Sequence, residues 1–69
     1  MAERVTYGDL DATLRSFGFS VTEAPGKHRL YRNADRDAAV MLAFRPFDDE
    51  APFFSWGAVR GTLADWGFI

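Results

Sequence analysis

Two fourteen-residue segments of this chain, one near each end, are written in the same pattern. TYGDLDATLRSFGF (residues 6–19) and SWGAVRGTLADWGF (residues 55–68) share five identities, at Gly8/Gly57, Thr13/Thr62, Leu14/Leu63, Gly18/Gly67 and Phe19/Phe68. In the first, Tyr7, Leu10, Leu14 and Phe17 fall within a stripe about 80° wide on a helix that turns ~100° per residue. Trp56, Val59, Leu63 and Trp66 repeat that spacing in the second. Thr6 followed by Asp9 predicts a capping box, with Val5 stapled to Leu10. Gly18 supplies a left-handed stop, and Phe19 folds back behind it. Ser55 takes the N-cap place of the second helix, Phe54 its staple to Val59, and Gly67-Phe68 repeat the stop. One such pair is too few for a solenoid. Two amphipathic helices of this kind need a shared apolar floor.

Strand chemistry lies between them. Phe19 to Glu23 alternates apolar and polar, and Pro25-Gly26 suits the two central positions of a type II turn. His28 to Arg32 reads as a second strand, Asn33 to Asp37 as a polar turn, and Ala38 to Arg45 as a third strand that Pro46 ends. Period two places Phe19, Val21, Leu30, Val40, Leu42 and Phe44 against the helices. Arg29, Tyr31, Ala39, Met41, Ala43 and Arg45 then point away. Short turns make neighbouring strands antiparallel. The expected fold is α+β, helix-strand-strand-strand-helix, with both helices packed on one face of a three-stranded antiparallel sheet.

At 69 residues the chain holds one domain with one small core, and its eleven aromatic side chains (seven Phe, two Trp, two Tyr) compensate for the short length. The sequence has no cysteine. Disulfides, thiolate metal sites and cysteine nucleophiles are therefore excluded, which suits a reducing cytoplasm. The longest apolar stretch without a charge, Ala38 to Phe44, is far short of the ~20 residues that cross a bilayer. The opening residues do not read as a signal peptide. No membrane association and no cofactor are expected.

Charge is unevenly placed. The net formal charge of −2 divides into −2 over residues 1–26, +3 over residues 27–45 and −3 over residues 46–69. An anionic partner would meet the basic middle. That middle contains the only histidine, in Gly26-Lys27-His28-Arg29-Leu30-Tyr31. An imidazole between two cations at the mouth of a strand has the chemistry to take the proton of an RNA 2′-hydroxyl while the cations steady the developing phosphate charge. The plainer alternative is that His28 caps the edge of the core and satisfies a backbone carbonyl. Asp48, Asp49 and Glu50 form a solvated turn rather than a metal site, since no partnering ligands are in view. Gly8 and Gly57 are read as packing glycines in the first turns of their helices. Phe47, Phe53 and Phe54, which bracket that acidic turn, are expected to be buried.

The order of elements and the residues around His28 together resemble the HicA toxin family of bacterial toxin–antitoxin modules, small domains with a double-stranded-RNA-binding-like fold. The resemblance runs from the first helix ending in Gly18-Phe19, through the Gly26-x-His28 signature and Leu30-Tyr31-Arg32, to a last helix of the Thr62-Leu63 type closing with Gly67-Phe68. It implies that His28 is the general acid or base of an mRNA interferase and that a cognate antitoxin protein blocks it. Lys27, Arg29 and Arg32 would then contact RNA phosphates. Two features depart from the family pattern: Lys27 stands where Ser is usual, and an acidic triplet precedes the last helix. The leading expectation is a metal-independent endoribonuclease toxin. The alternative is a HicA-like fold without nuclease activity, serving as a protein-binding or regulatory module through Tyr31, Ala39, Met41 and Ala43 on the outward sheet face.

Overall fold

The computed structural model describes residues 4–69, so Glu3 of the acidic first segment lies outside it. The element order is α1 (Tyr7–Ser16), β1 (Ser20–Ala24), β2 (His28–Asn33), β3 (Ala38–Ala43) and α2 (Phe53–Asp65). The three strands form one antiparallel sheet in the order β1-β2-β3. The expected architecture is present.

The first helix begins as its sequence predicts. The Thr6 hydroxyl accepts from the Asp9 amide at 3.1 Å, and the Asp9 carboxylate accepts from the Thr6 amide at 2.9 Å. Both helices also end alike. Gly18 (φ +87°) donates to Arg15 O while Phe19 donates to Leu14 O, and Gly67 (φ +76°) donates to Ala64 O while Phe68 donates to Leu63 O. This is the Schellman arrangement at each end, which only a residue tolerant of the left-handed region can close. The two returning phenylalanines then meet, with ring centroids 5.3 Å apart.

The start of α2 departs from expectation. Its N-cap is Pro52, with no side-chain cap, and Ser55 lies buried inside the first turn rather than capping it. A turn earlier than expected carries Phe53 and Phe54 onto the solvent side, where they are 88% and 76% exposed. The burial expected for them is overturned, as it is for Phe47, which is 47% exposed in the loop before α2. Among the described residues no helix is long and apolar enough to cross a membrane.

The core joins Tyr7, Leu10 and Leu14 of α1 to Tyr31, Ala38, Val40 and Leu42 of the sheet and Val59 and Leu63 of α2. Register shows that β3 has the expected facing and β2 the opposite one. Tyr31 pairs with Val40, and Leu30 pairs with Met41, so Tyr31 faces the helices and Leu30 looks outward. Tyr31 is 1% exposed, and its hydroxyl donates to Asp11 Oδ1 at 2.7 Å. Asp11 also accepts from Arg15 Nε at 2.9 Å. A phenol with a carboxylate partner brings more apolar area into the core than a leucine, without leaving its hydroxyl unpaired. Burial, and then the Asp11 hydrogen bond, push that phenol well above the ordinary tyrosine range.

The polar turn between β2 and β3 is also anchored. Asn33, the last residue of β2, donates to Phe17 O at 3.0 Å and accepts from the Arg36 amide. Arg36 donates to Trp66 O at 2.7 Å and lies over the Phe68 ring. One turn thus clamps the C-terminal ends of both helices, where a cation beside exposed carbonyls is favourable.

Candidate functional site

The tight link between β1 and β2 builds the site. Pro25, Gly26 and Lys27 connect the Ala24–His28 pair, and Gly26 (φ +82°) and Lys27 (φ +60°) both occupy the left-handed region. The glycine is needed for a second reason. A Cβ at Gly26 would stand 3.2 Å from His28 Nδ1 and 3.3 Å from its Cε1, so the imidazole lies against the bare backbone of the turn. His28 Nδ1 is 3.2 Å from the Pro25 carbonyl oxygen. A carbonyl only accepts, so Nδ1 carries the proton of the neutral ring and Nε2 carries the lone pair. The Gly-x-His spacing therefore orients the ring and favours the tautomer protonated at Nδ1.

His28 is partly buried and separates two depressions. One is an open cleft of about 530 Å³ lined by Glu23, Ala24, Lys27, His28 and Phe44. The other, of about 220 Å³, runs between β3 and α2, with Met41, Ala43, Phe54 and Ala58 among its walls. The plain role expected for the ring, satisfying a carbonyl, is realised at Nδ1, and the ring still reaches a cleft open to solvent.

The cations expected beside the ring are dispersed. Lys27 is exposed and lines the same cleft. Arg29, expected to point away from the helices, sits on the helix-side face, because β2 turns its Tyr31 side inward. Its guanidinium lies 4.3 Å from the ring centroids of both Phe44 and Phe47, and it donates to Arg45 O at 2.9 Å. Arg32 is exposed on the outward face with Asp37 3.8 Å away. It stands four residues along β2 from His28, about 13 Å at ~3.3 Å per residue. Lys27 and His28 are brought together. Arg32 is not part of that cluster, and Arg29 is held by two phenyl rings.

Of the outward sheet face, Ala39 and Met41 are exposed, Met41 at 51%, and Ala43 is partly buried. Tyr31 is absent from it, and Leu30 takes its place. The acidic triplet does not crowd the cleft. Asp49 pairs with Arg45 at 3.2 Å, and Glu50 bridges to Thr6 and lies 4.0 Å from Arg4. Among the described residues no three His, Asp or Glu side chains converge to hold a metal ion.

Two residues of the cleft were not legible as site residues. Phe44, expected in the core, is 43% exposed at the cleft wall, its amide donating to Lys27 O at 2.8 Å. Glu23 reads simply as the polar end of an alternating strand. A three-residue turn after Ala24 would have placed it opposite Arg29, which was the available signal. No protein-family model matches this chain, and no curated protein matches it.

Proposed function

We propose that this chain is a metal-independent endoribonuclease of the HicA-like toxin type, with His28 as the base that activates an RNA 2′-hydroxyl. The observation that carries this reading is the seating of His28. The Pro25 carbonyl commits Nδ1 as donor, and Nε2 is left as the acceptor of a ring at the edge of a solvent-open cleft beside Lys27. Nε2 takes the proton of the 2′-hydroxyl, the 2′-oxygen bonds to the adjacent phosphorus, and the bond to the 5′-oxygen breaks. The products are a 2′,3′-cyclic phosphate and a 5′-hydroxyl that takes its proton from solvent. Lys27 offsets the charge on the phosphate oxygens. RNA is the substrate class because it alone carries the internal nucleophile, and a cognate antitoxin is the partner that the family resemblance brings. His28→Ala is expected to abolish cleavage of single-stranded RNA while leaving Tm within a few degrees. A variant that still cuts at the parent rate would remove the assignment.

A second reading, a protein-binding module without nuclease activity, is favoured by one observation. Phe53 and Phe54 stand largely in solvent at the start of α2, and Phe54 shares a depression with Met41. A titration of binding against salt separates the two readings. An RNA binder loses affinity as salt rises, in proportion to the phosphates it neutralises, whereas a protein-binding module has no RNA binding to lose.

A further inference from the structure

Glu23 stands directly opposite Arg29 in the β1–β2 register. Opposite charges facing each other across two strands ordinarily pair. Here they do not. Among the described residues Glu23 makes no ion pair, because the Arg29 guanidinium is drawn between Phe44 and Phe47 and tied to Arg45 O. An unneutralised carboxylate is left in the cleft that holds Lys27 and His28.

A carboxylate works against a phosphate placed beside it, so Glu23 has to meet a different part of an RNA ligand, one that offers hydrogen-bond donors. The aromatic wall points to which part. Phe44 presents an exposed ring, and the ring is not loose: its amide is bonded to Lys27 O, and Arg29 packs on it at 4.3 Å. Such a ring is a stacking platform for an unpaired base. The volume of about 530 Å³ falls within the ~300–1,000 Å³ typical of small-molecule sites.

We infer that the cleft selects an unpaired guanine, its face on Phe44 and its Watson–Crick edge on the Glu23 carboxylate. Ionised carboxylate oxygens only accept. Guanine alone presents two adjacent donors on that edge, N1–H and the N2 amino group. Adenine sets an acceptor at N1 beside its amino group, cytosine sets one at N3, and uracil flanks its single N–H with two carbonyls. Each of these three brings an acceptor against the carboxylate and is repelled. The edge must also be free, which confines the site to single strands, loops and bulges.

This inference rests on the RNA reading of the His28 site, and the test keeps the two apart. Cleavage sites are mapped on a random-sequence single-stranded RNA pool with the parent protein and Glu23→Gln, whose carboxamide offers one acceptor and one donor. The expected result is guanine enriched about tenfold at one fixed position relative to the cut, as a bidentate base contact gives, and loss of that enrichment in Glu23→Gln. Cuts without base bias, or a bias that Glu23→Gln leaves intact, overturn the inference while the nuclease reading stands. If no RNA is cut, the nuclease reading fails and the cleft is judged by titrating GMP, AMP, CMP and UMP, followed by NMR. GMP binding about tenfold tighter than the others in the parent and not in Glu23→Gln upholds the guanine site. Equal or absent binding overturns it.

Discussion

The two helices share a sequence pattern but are held by different means. α1 is fixed at both ends and along its side: a capping box at Thr6, a Schellman stop at Gly18, and Asp11 bonded to Tyr31 of the sheet. The loop from Phe47 to Ala51 also lies against its first turn, with the Tyr7 and Gly8 amides donating to Asp49 O and Phe47 O. α2 has the same stop and buries Val59 and Leu63 of its stripe, but Trp66 at the end of that stripe is 45% exposed, there is no side-chain cap, and Phe53 and Phe54 of its first turn face water while Ser55 is buried. The duplicated pattern therefore marks what both helices need from the core and from their C-terminal turns. It does not extend to their N-terminal halves, where one is enclosed by the chain and the other is free to meet something else.

Leu14 and Leu63 occupy matching places and are 0% and 2% exposed. Truncation of either to alanine is expected to cost about 2–5 kcal/mol, the range for a buried leucine in a close-packed interior. A 69-residue domain has little more than that to lose, so both variants should be largely unfolded by circular dichroism at 37 °C. A folded Leu63→Ala beside an unfolded Leu14→Ala would mean that the second helix is an accessory to the core and not part of it.

Tyr31→Phe tests the lateral tie that α1 has and α2 lacks. The variant leaves Asp11 Oδ1 without its donor, and a loss of about 1.5–3 kcal/mol at pH 7 is expected for a hydrogen bond to a charged group. The pH dependence follows from the raised phenol. An unfolded tyrosine releases its proton near pH ~10, whereas burial and the Asp11 contact hold the folded phenol protonated beyond that. The unfolded state then binds fewer protons than the folded one, so this contribution is complete below pH ~10 and is lost as pH rises above it. Urea midpoints at pH 7, 9 and 11 should show the gap between parent and variant constant over the first two and narrower at the third. A gap that is still full at pH 11 would show the phenol ionising alike in both states.

What could be read from the residues was what depends on near neighbours. The Thr6–Asp9 box, both Gly-Phe stops, the strand order and the facing of β3 all follow from contacts within a few positions or from plain alternation. The facing of β2 does not. Leu30 and Tyr31 are adjacent, period two allows only one of them inside, and hydropathy picks Leu30. The residue that decides is Asp11, twenty positions away, and no local pattern announces it. The site divides in the same way. Gly26 and His28 are legible because the turn that positions the ring is local. The arrest of Arg29 between two phenyl rings, and the unpaired Glu23 it leaves, require the path of the chain after Pro46.

Gly8 and Gly57 put the contrast at one pair of matched positions. A Cβ on Gly8 would stand 3.0 Å from the Phe47 carbonyl oxygen and 3.2 Å from the Phe47 Cβ, so the loop must retreat and the 2.8 Å bond from the Gly8 amide weakens. Gly8→Ala is expected to destabilise by about 1–3 kcal/mol, as overpacking against backbone does.

A Cβ on Gly57 meets nothing within 4 Å, which overturns the expectation that this glycine serves packing. It lies inside α2 on the exposed side, where alanine loses less conformational freedom than glycine on forming a helix. Gly57→Ala should therefore stabilise the isolated protein by about 0.5–1 kcal/mol, opposite in sign to its counterpart. Thermal melts of the two variants beside the parent decide the matter. If Gly57→Ala also lowers Tm, the exposed side of α2 is already engaged in the free protein, for instance by a second copy. Repeating the melts across protein concentrations would expose that, since a Tm that rises with concentration is the mark of association.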